Sequence, residues 1–170
     1  MSIITKFIVL IFLFCLVFSS KTIAEEMKNV GKFNDWETIL ITEESGKVCF
    51  AQSSPVLQTP ESSARNAKLF VTFRTSENIS NEVSTTAGYE FDQNNSVTAT
   101  FGEGVVKFDI KEQGFAWIAD NKIEENVVAK MKKGSKIIIK GHNEQGTETS
   151  DQYSLLGFTK AYNAARMTCS

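Results

Sequence analysis

The chain has 170 residues, 42% of them hydrophobic, with 18 basic and 20 acidic side chains and a formal net charge of −2. That length is enough to bury one sizeable core. No basic cluster exceeds Lys130, Lys132 and Lys133, which excludes the concentrated positive surface that displaces phosphate counterions, so no nucleic-acid partner is expected.

At the N-terminus, Lys6 is followed by an unbroken apolar run from Phe7 to Phe18 and then by Thr22-Ile23-Ala24. Positive, apolar and small in that order predicts a Sec-type export signal over residues 1–24, cleaved after Ala24. The run is shorter than the roughly 20 apolar residues that cross a bilayer core, so no transmembrane segment is expected in the mature chain. Cys15 follows Phe14, where a lipidation site needs a small residue. Loss of Lys6 and Lys21 leaves 16 basic residues against 20 acidic ones, a net charge of −4.

Residues 25–32 are mostly polar and read as an N-terminal tail ahead of one domain over 33–170. From there the apolar pattern has period two, the signature of strands. Strands are expected over Trp36–Thr42, Lys47–Gln52, Leu69–Arg74, Val97–Phe101, Val105–Ile110, Phe115–Ala119, Lys136–Lys140 and Gln152–Leu155. In Lys47–Gln52, Val48 and Phe50 share one face and Cys49 the other. Gly102-Glu103-Gly104, Asp92 to Asn95 and Gln113-Gly114 punctuate the strands as turns. Residues 53–67 hold both prolines and little periodicity, which reads as a long loop, functional or disordered. Two segments are helical. Ile123, Val127 and Met131 make a stripe over 121–133, with Asn121 as cap, Glu124 three residues on and Gly134 as a left-handed end. Phe158, Tyr162, Ala165 and Cys169 make another on a last helix beginning near Thr159. The expected fold is an all-β antiparallel sandwich with one short internal helix and a C-terminal helix.

Cys49 and Cys169 are the cysteines left after the signal. In an oxidising compartment they read as one disulfide. The competing reading, a pair of metal ligands, finds a single histidine, His142, and no C-x-x-C spacing. No metal and no cofactor is expected. His142 sits in a turn-like stretch, Gly141 to Gly146, without the nucleophile a triad needs. Phosphate-cradling glycine motifs are absent. The acidic pairs Glu43-Glu44 and Glu124-Glu125 are sequence neighbours that point different ways, so they read as solvated faces, not a glycosidase dyad. Trp36 and Trp117 read as core. Arg74, Glu77, Asn78, Asn81 and Glu82 read as a hydrogen-bonded corner, or alternatively as a binding rim. No catalytic residue emerges.

Several stretches together resemble the invasion-associated locus B family of alphaproteobacterial envelope proteins. They are Phe33 to Trp36, Gly46 to Ala51 followed by Pro55, Glu77 to Val83, Ala116-Trp117, Met131 to Gly134, and Lys140-Gly141 through Gly146 to Tyr162, ending at Cys169. Some relatives carry another cysteine just after the tryptophan; Thr38 to Ile41 offers none, so a second disulfide is not expected. The resemblance implies a secreted, periplasmic or outer-membrane-associated β-sandwich of a family first associated with bacterial entry into host cells, with no catalytic motif to carry over. Three readings follow: a non-enzymatic interaction module with an unidentified envelope or host protein as partner; a structural or stress-related periplasmic protein without a dedicated ligand; and a hydrolase with a scattered site. An exposed apolar patch favours the first, a uniformly polar surface the second, and a deep pocket of convergent titratable groups the third.

Overall fold

The computed structural model describes residues 26–61, 64–102 and 104–170; the export signal read over residues 1–24 and its cleavage after Ala24 lie outside the described residues. Among the described residues twelve strands form two sheets. The seven-stranded sheet runs β1 (Glu26–Phe33), β2 (Trp36–Glu43), β3 (Gly46–Ser53), β5 (Lys68–Arg74), β6 (Ile79–Thr86), β10 (Phe115–Trp117), β9 (Ile110–Glu112). The five-stranded sheet runs β4 (Leu57–Thr59), β12 (Glu148–Ser154), β11 (Lys136–His142), β7 (Val97–Phe101), β8 (Gly104–Phe108). All strand pairings are antiparallel. With α1 (Asn121–Lys133) and α2 (Phe158–Thr168), this is the sandwich-like architecture expected.

Local chemistry sets the hairpins. Gln113 and Gly114 join β9 to β10 with φ of 50° and 76°, the two left-handed positions that a right-twisted two-residue turn demands. Asn34, also left-handed, closes β1 onto β2 with Phe33 opposite Trp36. Between β11 and β12, Asn143 Oδ1 accepts from the backbone N–H groups of Gln145 and Thr147 at 3.1 and 2.8 Å, a side chain standing in for a backbone partner.

Five segments differ from the sequence reading. Residues 26–32, expected as tail, belong to β1, whose polar sequence suits an edge strand with a solvated face. The run from Val105 to Ile110 breaks at Asp109, where the chain leaves the five-stranded sheet and enters the seven-stranded one. β6, with sequence ISNEVSTT, was hidden by its polarity although Val83 and Thr85 are buried. The described residues of the 53–67 segment are tied to the five-stranded sheet. Its β4 pairs with β12, and Arg65 grips Asp151 through Nη2 at 2.6 Å and Nη1 at 2.9 Å. In α1 the cap is Asp120, whose Oδ1 accepts from the N–H groups of Lys122 and Ile123, and Gly134 is extended (φ −82°, ψ 166°). The helix is rotated from the expected stripe, burying Glu124, Val127, Val128 and Met131 and exposing Ile123.

The core lies on one face of the seven-stranded sheet, under α1, α2 and the five-stranded sheet. Trp36 ties these layers together: its indole N–H donates to the Ser154 carbonyl at 2.8 Å, and its ring meets Phe158 edge-on at 4.8 Å. Thr38 Oγ1 donates to the Ala161 carbonyl, and Phe73 packs on Tyr162. Full burial of a large apolar side chain contributes about 1.5 to 3 kcal/mol, so Trp36, Leu69, Ile137 and Phe158, all fully buried, hold the layers strongly. Cys49 on β3 and Cys169, just past α2, are disulfide-bonded with Cα atoms 5.9 Å apart, joining residues separated by 120 positions.

Candidate functional site

Among the described residues no helix covers the opposite face of the seven-stranded sheet. Side chains directly opposite across antiparallel strands share a face. The register places Ile39, Phe50 and Thr72 in one row and Phe70, Ser84 and Trp117 in the next. The aromatic members form a continuous chain. Phe50 meets Phe70 edge-on at 5.8 Å, Phe70 lies 6.1 Å from Phe115, and Phe115 stacks on Trp117 at 5.6 Å with planes 29° apart. All four rings are half-buried. Ile41 and Val48 extend the stripe, and Met27 and Ile110 lie at its two ends, both exposed. Such a stripe leaves aromatic area in water that the alternation of core strands does not require.

At the Trp117 end the stripe opens into a cleft of about 520 Å³ between the β5–β6 corner, β9 and the start of α1. Its lining includes Ile110, Trp117 and Ile118, and four carboxylates, Glu77, Glu82, Glu112 and Glu124; none of its lining side chains is basic. Glu124 is 4% exposed, and its Oε1 accepts from the Val83 backbone N–H at 2.8 Å. Burial pushes its carboxyl up to about 7, against the pull of that hydrogen bond and with help from Glu82 and Asp120. Glu82 Oε2 accepts from Arg74 Nη1 at 2.8 Å, while its Oε1 is buried without a partner among the described residues.

The family model for the Invasion associated locus B (IalB) protein matches residues 36–166. The chain belongs to this family. A solved structure of the invasion associated protein B from Bartonella henselae is similar in fold, with a TM-score of 0.58 and 16% identity over 83% of this chain and 97% of that chain. Comparison with the curated proteins gave no match. The aromatic stripe and the cleft both fall inside the stretch that matches the IalB model.

The residues singled out from sequence fall into place unevenly on this IalB chain. Trp36 is core, whereas Trp117, read as core, is half-buried on the open face. The missed signal was already visible at Val48 and Phe50: the second apolar face of β3, β5 and β10 was legible, but its lack of a covering layer was not. Glu124, read as solvated, is buried. The β5–β6 turn is a hydrogen-bonded corner that also borders the cleft. Arg74 pairs with Glu82 and Tyr162 Oη donates to Asn81 Oδ1 at 2.6 Å, while Glu77, Asn78 and Glu82 line the cleft. His142 ends β11 with Nε2 3.8 Å from Glu148 Oε2. Among the described residues no three His, Cys, Asp or Glu side chains converge to hold a metal.

Proposed function

We propose that this protein is an exported bacterial envelope protein that works as a non-enzymatic interaction module, and that the open face of its seven-stranded sheet is the surface that binds. The observation that carries this reading is the uncovered chain Phe50–Phe70–Phe115–Trp117. Aromatic side chains centred in a patch and rimmed by polar groups are what protein interfaces use as anchors. The rim here includes Glu43 and the Arg74–Glu82 pair, and the adjoining cleft adds Glu77, Glu112 and Glu124. The fitting occupant is a partner protein that presents apolar side chains beside Lys or Arg, since an acidic rim favours encounter with positive charge. The apolar run and small residues at the N-terminus, the disulfide and IalB membership support export to the periplasm or the outer membrane.

Immobilised oxidised protein, incubated with detergent extract of the native envelope, tests the reading. We expect an identified envelope or host-surface protein to be retained by the wild type and by Lys140→Ser, a change on the other sheet. We expect the same protein to be lost with the Phe70→Ser/Trp117→Ser double variant. Equal retention by all three would overturn it.

A further inference from the structure

We propose that the Cys49–Cys169 disulfide is a thiol–disulfide exchange site, opened at Cys169 by an anionic thiol that enters the cleft beside the end of α2. This chemistry needs no occupant on the open face. The two sulfurs are placed unequally. Cys49 is fully buried on β3, whereas Cys169 is half-buried and lines a cleft of about 530 Å³ between the β5–β6 corner and α2. An external thiolate must reach the sulfur that it attacks, so access selects Cys169.

The surroundings of Cys169 select charge. Arg74 and Arg166 line the cleft with it, and none of the lining side chains is acidic. Arg166 lies three residues before Cys169, a neighbouring position on a helix surface, and forms no ion pair among the described residues. Arg74 commits one nitrogen, Nη1, to Glu82. Lys47 on β3 donates to the Thr168 carbonyl, next to Cys169, at 3.4 Å. Desolvation, and then Arg166, hold the Lys132 ammonium below its usual range, so positive charge accumulates at this end of α2. Reactive cysteines sit in partly exposed, electropositive surroundings of this kind, because the reacting species is a thiolate. In the step itself the thiolate sulfur bonds to Cys169 Sγ and the Sγ–Sγ bond breaks. Its electron pair leaves on Cys49, which takes a proton from water. A second thiolate then frees Cys169 from the mixed disulfide. The protein disulfide gains two electrons and two protons, and two thiols become one external disulfide.

The test is reduction of the oxidised protein, in native buffer at low salt, by three thiols of one chain length: 2-mercaptoethanesulfonate, 2-mercaptoethanol and 2-aminoethanethiol. Each rate is taken per thiolate and divided by that thiol's rate on a neutral model disulfide, which removes differences in intrinsic reactivity. We expect rates linear in thiol concentration and an acid-quenched mixed disulfide on the Cys169 peptide. The sulfonate should outrun the ammonium by at least about tenfold, a gap that added salt narrows. Arg166→Gln and Lys47→Gln should each slow the sulfonate by about threefold or more and leave the neutral thiol unchanged. Lys140→Gln, on the other sheet, should change neither. A rate that levels off at the global unfolding rate, an adduct on Cys49, or equal normalised rates for the three thiols would overturn the assignment.

Discussion

Arg65 and Asp151, 86 positions apart, meet as a buried fork, with side chains 7% and 3% exposed. Gln58 adds a second donor to Asp151 Oδ1 at 3.2 Å and accepts from the Arg65 backbone N–H. The pair clamps the 53–67 segment onto β12. Removing one partner leaves the other charge buried and uncompensated, which costs about 3 to 5 kcal/mol. Arg65→Ala should therefore lower the unfolding free energy measured in urea by that much, while Arg65→Met with Asp151→Leu should recover most of it. A loss below about 1 kcal/mol for Arg65→Ala would contradict the clamp.

How much of this was legible in the sequence follows from the kind of force involved. Strands with apolar alternation, such as Leu69–Arg74, and the turn at Gln113-Gly114 were readable because their signals are local. Two cysteines in a chain read as exported pointed to each other for chemical reasons. The Arg65–Asp151 clamp was not readable, because Arg65 lies in a segment of little periodicity and its partner is remote. Nor was the open face: apolar residues at Val48 and Phe50 on one side and Cys49 on the other look the same whether the second face is covered or bare. Which face α1 turns inward depends on β6, a polar strand whose Val83 N–H takes up Glu124.

The disulfide closes a separation of 120 positions, and in the chain-entropy model a loop that long removes about 4 to 5 kcal/mol of unfolded-state freedom. Cys49→Ala with Cys169→Ala should lose about that much stability in urea unfolding. Reduction by dithiothreitol should lower the melting temperature of the wild type and leave that of the double variant unmoved.

Glu124 makes stability depend on pH. Folding raises its carboxyl from 4.5 to about 7. Between those values the folded chain keeps a proton that the unfolded chain has lost. Its contribution to stability therefore falls as pH rises from about 4.5 to about 7, and is constant beyond. Glu124→Gln should remove that slope and gain about 1 to 3 kcal/mol over the wild type at pH 8, measured as the difference in unfolding free energy across the range. A gain that is the same at pH 4 and pH 8 would contradict the assignment.

Gly157 opens α2 with φ of 96°, and a Cβ there would collide with the Phe33 carbonyl oxygen. Gly157→Ala must both strain the backbone and push β1 away from the helix. We expect a loss of at least about 2 kcal/mol in thermal unfolding. Gly146→Ala, also left-handed but in open space, should lose only about 1 kcal/mol.

The uncovered aromatic stripe is tested most directly by a photo-cross-linking phenylalanine at position 70 in living cells, with position 138 on the other sheet as control. Mass spectrometry then identifies the joined peptide. An adduct from position 70 alone, to a different protein and at a segment with apolar residues flanked by Lys or Arg, and lost in Trp117→Ser, is the predicted result. No adduct from position 70, or an adduct to a second copy of the same chain, would contradict it.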